Sequence, residues 1–489
     1  MGQLYYLQRL VLSYCIVLIL ADSPNLALYE VVFVGRYIIG TREFIFPAEP
    51  LYEISALNPT SVYERIDRVR AGGGLKSFSD ANEKYGKLFL IAASLVIWVV
   101  ILLLFKVYGY DETWKLWHVP VEHPQFSDFR LIPGSAESFR MGFEPTQRNP
   151  GDPHKRIFNY PAFWRLFFYT GITQEHSLWA VAVMLGLFFL GVFLFPQNIT
   201  ILESIALLLV IFSPASMLLY ERGNVDLIVF FLCALIVWSI EISAFVAVAL
   251  LSFAIVVKIF PFFGFTVLLT ESKTRFIWLF LTCLAVLLAY MYSTSGSVRA
   301  AWNLTMRGDE ISYGANVLFL RYSQYFSQLL RVSQTDPKLK FEPVILAAIL
   351  IGIAGLIGIT SREPLKSAST RNLAAFRMGA SIYIGTFLLG NNWDYRLAFL
   401  IFVVPQLMEW TRKSYPRRYR TIAVSVLILV FTSCWHFVVW FAPGLASVKE
   451  FLFVLDETMN WMLVAGFSYL LCASIPDWLR IEFNSSLQK

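Results

Sequence analysis

Four polar stretches interrupt an otherwise apolar chain, and their residue types can bind a phosphate or move a proton. The first region holds Phe126-Ser127-Asp128-Phe129-Arg130, followed by Gly142-Phe143-Glu144-Pro145 and Asn159-Tyr160-Pro161. The second is Glu221-Arg222-Gly223-Asn224-Val225-Asp226, three charges and an asparagine in six residues between two long apolar runs. The third is Lys258, the sole charge within 242–270, just before Ile259-Phe260-Pro261. The fourth is Asn391-Asn392-Trp393-Asp394-Tyr395-Arg396, and Arg321, downstream of Tyr313-Gly314-Ala315-Asn316, is one more cation. Ionisable side chains beside a membrane core are costly and mark functional positions. A positioned carboxylate can take a proton from a hydroxyl, and fixed cations stabilise charge on a phosphate.

Each stretch also has a structural explanation. Asp128 suits a helix N-cap, and Glu221–Asp226 suits a turn with a positive-φ glycine and an Asn cap. Lys258 at a helix end can snorkel, and 391–396 fits an interfacial aromatic belt with an Asp–Arg pair. His118, His123 and His154 lie near Glu122 and Asp152, but their spacing matches no metal motif, so no metal ligand is assigned.

The elements that must position these residues follow from composition. Of 489 residues, 57% are hydrophobic and 15% charged, and the mean hydropathy is +0.60. Soluble domains carry about 25% charged residues, so disorder, collagen, coiled coil and disulfide scaffold are excluded. The chain reads as an all-α, polytopic integral membrane protein of about 11–13 transmembrane helices. Apolar runs lie near 88–106, 177–195, 199–220, 225–240, 275–292, 343–360, 373–390, 421–442 and 451–473. The stretch 242–270 reads as two legs meeting at Lys258, and a short leg spans 395–409. The formal charge of +6 gives no case for nucleic acid. Cys15, Cys233, Cys283, Cys434 and Cys472 all sit in apolar runs and read as small buried hydrophobes.

Orientation comes from Arg412, Lys413, Arg417, Arg418 and Arg420, which mark a cytoplasmic segment. Counting outward from it puts the large loop 107–176, the turn 221–224, Lys258, 293–342 and 391–394 together on the outer face. Within that loop, 128–141 has apolar residues at helical spacing and is expected to lie on the membrane as an amphipathic helix. Residues 1–87 form an N-terminal segment, with 4–21 a signal peptide, a span or an interfacial helix, followed by a basic stretch broken at Gly72-Gly73-Gly74. Residues 88–475 form the membrane domain, and 476–489 a cytoplasmic tail.

Ser213-Pro214, then Glu221 to Asp226, then Lys258-Ile259-Phe260-Pro261, resembles glycosyltransferase family 87. These are membrane enzymes of the GT-C superfamily, similar to polyprenyl-phosphate-mannose-dependent mannosyltransferases. Asp128, the Gly142–Pro145 motif and Tyr160-Pro161 match the first outer loop of that family in order and rough spacing, and 392–396 resembles its late polar turn. The resemblance covers about 88–475. It departs from the family in residues 1–87, which have no counterpart, and near Asn316, where an Asn-rich outer motif is degraded. The resemblance implies a GT-C-like fold and inverting transfer of a mannose-like hexose from a polyprenyl-phosphate sugar to a hydroxyl of a lipid or glycan acceptor. By the same resemblance Asp128 is the general base, with Lys258, Arg222 and Arg396 on the donor phosphate. Glu221, Asn224, Asp226, Asn392, Asp394, Tyr160 and Arg321 bind substrate or orient those groups. No cofactor is required; the superfamily admits a divalent metal that these residues do not demand. The expected location is a bacterial cytoplasmic membrane. A multi-span transporter or flippase of a lipid or anionic solute is the alternative, because broken helices with intramembrane charges serve transport as well.

Overall fold

Three shorter apolar helical stretches, Asp226–Ser239, Ala244–Val257 and Phe260–Thr270, lie among longer ones, and the polar residues collect where they end. The computed structural model describes residues 74–304, 308, 310–330, 338–361, 363–436 and 448–481. The expectations for residues 1–73, including the segment 4–21 and Cys15, lie outside the described residues.

Helix α1 (Gly74–Tyr108) is apolar from Tyr85 onward and leaves Leu88, Leu95, Val99 and Leu102 exposed. A water-soluble helix would place charge there. Helices α2 (Tyr110–Leu116) and α3 (Ser127–Arg140) follow, then 3-10 helices Ala162–Tyr169 and Gln174–His176, then α4 (Ser177–Leu194). Next come α5 (Ile201–Ile211), α6 (Pro214–Arg222), α7 (Asp226–Ser239) and α8 (Ala244–Val257). After the 3-10 helix Phe260–Thr270 the chain forms α9 (Lys273–Ser293), α10 (Ser295–Leu304), strand β1 (Ser312–Tyr313), α11 (Val317–Arg321) and α12 (Ser323–Leu330). Helices α13 (Lys338–Ile359) and α14 (Thr370–Leu388), strand β2 (Asn392–Trp393), the 3-10 helix Asp394–Val403, α15 (Val404–Trp410), α16 (Arg417–Trp435) and α17 (Lys449–Ala473) complete the described order.

Five helices among the described residues are long and apolar enough to cross a bilayer: Tyr85–Tyr108, Gln174–Leu194, Lys273–Ser293, Phe341–Ile359 and Arg417–Trp435. Helices α5 and α6 make a sixth if the pair, bent by 52°, is one span. The bend has a local cause. Pro214 has no N–H for a continuing helix, and Ser213 instead caps α6 by accepting from the Ser216 N–H at 3.3 Å. The Ile211 carbonyl freed by the break accepts the Tyr220 hydroxyl at 2.8 Å.

The chain breaks at Lys258 as the charge and proline there foretold. Lys258 adopts an extended backbone (φ −159°) between α8 and the 3-10 helix Phe260–Thr270. Helix α14 packs against that 3-10 helix and against Asp394–Val403, burying nearly all its residues from Ala374 to Phe387. Four described cysteines are free, with Cys233, Cys283 and Cys434 buried and Cys472 partly so. The one sheet among the described residues is a two-residue antiparallel ladder pairing Ser312 with Trp393 and Tyr313 with Asn392. It ties the region after α10 to the turn that carries Arg396.

One expectation changes. The apolar residues expected to face a membrane surface are instead covered by protein in α3: Phe129, Leu131, Ile132, Gly134, Ser135 and Ala136 are all buried. Its small residues let the loop behind it close in. The Ser138 hydroxyl donates to Asn149 Oδ1 at 2.7 Å and accepts the Gly151 N–H at 2.8 Å. A Cβ on Gly134 would sit 2.7 Å from the Gly151 carbonyl oxygen, so only glycine allows this approach. Near the start of the segment 476–489, the Trp478 indole donates to the Glu271 carbonyl at 3.2 Å and Arg480 is buried.

Candidate functional site

Five residues drawn from four separate stretches share one hydrogen-bonded group, and each stands at the end of an element. Asp128 lies in the first turn of α3, Asn224 precedes α7, Asp226 opens α7, Lys258 follows α8, and Arg396 is in the first turn of its 3-10 helix. Helix ends leave backbone groups unpaired and side chains free to face one another.

Asn224 is the hub. Its Nδ2 donates to Asp128 Oδ2 at 2.7 Å and to the Tyr395 hydroxyl at 3.1 Å. Its Oδ1 accepts from Lys258 Nζ at 3.2 Å and from the Asp226 N–H at 3.0 Å. The last bond is an Asx turn onto the first residue of α7, whose N-cap position is held by Val225 and not by Asn224, and the other three go beyond a turn. Asp128 is no cap: Phe126 occupies the N-cap position at φ 61°, without a side-chain capping bond.

Asp226, 0% exposed, joins the two cations. Its Oδ1 accepts from Lys258 Nζ at 2.5 Å and its Oδ2 from Arg396 Nε at 3.2 Å. Arg396 also donates to Asn392 Oδ1, and Asn392 in turn donates to the Thr386 carbonyl at 2.5 Å. Phe260 lies under both cations, 5.0 Å from the Arg396 guanidinium carbon and 5.8 Å from Lys258 Nζ. Two cations face one carboxylate in this triad, which leaves one net positive charge next to the Asp128 carboxylate.

Tyr160 closes one side. Its hydroxyl donates to the Asp128 carbonyl at 3.4 Å, and its ring stands 5.8 Å from Lys258 Nζ. Burial first, and then the charges of Asp128 and Asp226, push the Tyr160 phenol well above its usual range, so it remains a neutral donor. Trp164, one turn on, donates its indole N–H to the Val257 carbonyl at 3.0 Å, joining the loop to the residue before Lys258.

Arg222 and Glu221 form a neighbouring cluster. Arg222 is held between Glu221 at 2.8 Å and Glu122 at 3.1 Å, two carboxylates for one cation. Glu221 also accepts the Glu122 N–H at 3.0 Å, and Glu122 accepts the Ser127 hydroxyl at 2.7 Å. Burial works against the Glu122 charge, but Arg222, Ser127 and His154 outweigh it, and its carboxyl titrates below the ordinary value.

Two expected residues point elsewhere. Asp394 turns away from Arg396 and lies 3.3 Å from His436 Nε2, in a buried group with Asp456 and Glu457. Arg321 pairs with Glu450 at 2.7 Å and with Glu310 at 3.7 Å. Among the described residues no group of three His, Cys, Asp or Glu side chains is placed to hold a metal ion.

Three contributors were not singled out in the sequence. Arg156 lies 3.7 Å from Asp128 and is anchored by Asp152 at 3.0 Å, a spacing of i,i+4 that an acid–base scan of the loop would find. Tyr395 sits inside the late polar turn, where an uncharged phenol carries no signal beside its charged neighbours. Glu122 had a signal only as part of the histidine group. No family model, curated protein or solved structure matches this chain.

Proposed function

We propose that this chain is a membrane glycosyltransferase that moves a sugar, a mannose-like hexose, from a polyprenyl-phosphate donor to an acceptor hydroxyl on the face away from the cytosol. In this proposal the membrane body is GT-C-like, with 11–13 passes, and lies in a bacterial cytoplasmic membrane. The shorter elements, α7, α8 and the 3-10 helix Phe260–Thr270, are among the passes. The observation that carries the proposal is that one carboxamide, Asn224, bonds the candidate base Asp128 on one side and the candidate phosphate cation Lys258 on the other.

The step follows from that pairing. Asp128 takes the acceptor O–H proton as the acceptor oxygen bonds to the anomeric carbon from the face opposite the phosphate. The bond from that carbon to the phosphate oxygen breaks, and its electron pair leaves with the phosphate. A phosphodiester carries one negative charge and its departing monoester develops a second. Cations fixed in advance therefore stabilise the transition state more than the ground state. Lys258 and Arg396, with one net positive charge after Asp226, suit a singly charged donor. Arg222, neutralised by two carboxylates, serves to hold Glu122 and Glu221 in place rather than to bind phosphate.

The test is purified protein in proteoliposomes given radiolabelled polyprenyl-phosphate sugars and a total lipid extract, with chromatography of products. Asp128→Asn is expected to lower transfer by about 10²- to 10⁴-fold, the usual worth of a positioned base, while donor binding persists. Transfer at the wild-type rate by that variant would remove Asp128 from the base role. The 52° bend and the break at Lys258 also suit a transporter or flippase. Accumulation of labelled solute with no glycosylated product would establish that alternative.

A further inference from the structure

We propose that Arg377 and Arg480 form a second, anionic-ligand site that binds the phosphate of a headgroup at the end of the molecule bearing Arg417 and Arg418. Arg377 is 3% exposed in α14 and donates from NH2 to the Ser474 carbonyl at 2.7 Å. Arg480 is 8% exposed and donates from NH2 to the Ala473 carbonyl at 2.8 Å and from NH1 to the Ser361 carbonyl at 2.7 Å. The two guanidinium groups thus stand on consecutive carbonyls at the end of α17, and Arg480 also reaches the chain just beyond the end of α13.

Capping explains part of this arrangement. Cations suit helix C-termini, each of which carries about half a negative charge. Two such ends amount to roughly one charge and face two arginines, so one positive charge is left over. An arginine stays protonated when buried, and a buried charge needs a partner. Neither arginine has a carboxylate partner among the described residues. Glu363 and Asp477 are exposed and pair with neither, and Glu482, two residues beyond Arg480, lies outside the described residues.

Unused donors remain around them. The Nε of Arg377, the Nε of Arg480 and the Tyr469 hydroxyl are all buried without a hydrogen-bond partner. The Tyr469 ring lies tilted beside that of Tyr419, centroids 6.2 Å apart, and Tyr419 donates to Ser361 Oγ at 2.8 Å, the same residue whose carbonyl holds Arg480. Arg418, exposed at the surface, lies 5.2 Å over the Tyr469 ring. Donors without acceptors, a surplus of positive charge and a basic rim suit a phosphate, which accepts from arginine forks. Basic pockets between membrane helices bind phosphate-bearing lipids in this manner. The 19-residue α16 rises about 28 Å from Arg417 to Trp435, so this site is one membrane thickness from the Asp394–His436 pair.

The test compares full-length protein in nanodiscs of phosphatidylcholine alone and with phosphatidylglycerol, and in detergent with inorganic phosphate. Lipid retention and thermal stability are the readouts. The wild type should retain phosphatidylglycerol about tenfold better than phosphatidylcholine, a difference of about 1.4 kcal/mol. Arg377→Gln and Arg480→Gln should each abolish that preference whatever their own stability. Tyr469→Phe, which removes one hydroxyl and keeps the fold, should weaken it about two- to tenfold. A response to inorganic phosphate equal to that of the lipid would identify free phosphate as the ligand of the same site. A wild type indifferent to both, or arginine variants that keep the full preference, would overturn the proposal. Should neither arginine variant fold, an undiminished preference in Tyr469→Phe would overturn it as well.

Discussion

Replacing Asp226 by asparagine is the sharpest probe of the central triad. The substitution keeps the volume and one acceptor oxygen, but removes the single carboxylate between Lys258 and Arg396 and turns an N–H2 toward one of them. The side chains of Lys258 and Arg396 are only 12% and 17% exposed, so solvent recovers little of the lost interaction. Breaking a buried ion pair by removing one partner costs about 3–5 kcal/mol. Both cations keep a neutral acceptor, Lys258 on Asn224 and Arg396 on Asn392, which places the expected loss near the lower end, about 3 kcal/mol. The assay is thermal or denaturant unfolding of the purified protein in detergent, followed by tryptophan fluorescence. Adding Lys258→Met to Asp226→Asn removes one of the two stranded cations and should restore about 1–2 kcal/mol, so the two changes are not additive. A single variant within about 1 kcal/mol of wild type, or strict additivity, would refute a desolvated ion triad here.

Gly223→Ala should destabilise by about 2–4 kcal/mol, because Gly223 has φ +57° and a Cβ would lie 2.7 Å from a Val181 methyl carbon and 3.0 Å from Phe126 Cβ; an unchanged melting temperature would contradict that packing. Glu122 has a folded-state pKa below its unfolded value of about 4.3, so its contribution is complete above that pH and disappears as pH falls through the lower folded value. Glu122→Gln should therefore flatten the acid limb of the stability curve below about pH 4, and identical limbs for the two proteins would argue against it. Trp164→Phe loses the indole bond to the Val257 carbonyl and should cost about 1 kcal/mol, read from the same unfolding curves.

The sequence exposed most of this chemistry because a charge in an apolar run has few reasons to be there. Lys258 was visible as the lone charge of 242–270, and the break it marks is where α8 ends. Asp226, Asn224 and Arg396 were visible for the same reason, and the structure places them in contact. Direction was not legible. Asp394 and Arg396 are two residues apart, and within a 3-10 turn that small offset sends Asp394 to His436 and Arg396 to Asp226. Arg156 was hidden because charge in a long loop is ordinary, and only the folded loop brings it near Asp128. The apolar spacing of 128–141 matches helix α3, but period alone does not separate a lipid-facing stripe from a protein-facing one. What decided it was the set of small residues on the other side, Gly134, Ser135 and Ser138, which admit a neighbouring chain segment.

The placement of every central polar group at the end of an element has a consequence for how such a chain can change over time. The long stretches between those ends are apolar, and their positions tolerate exchange among side chains of similar volume. Only element length and the dozen or so polar letters at the junctions must persist. Two descendants of one ancestor could therefore retain the same polar cluster while the text between its parts drifts past recognition.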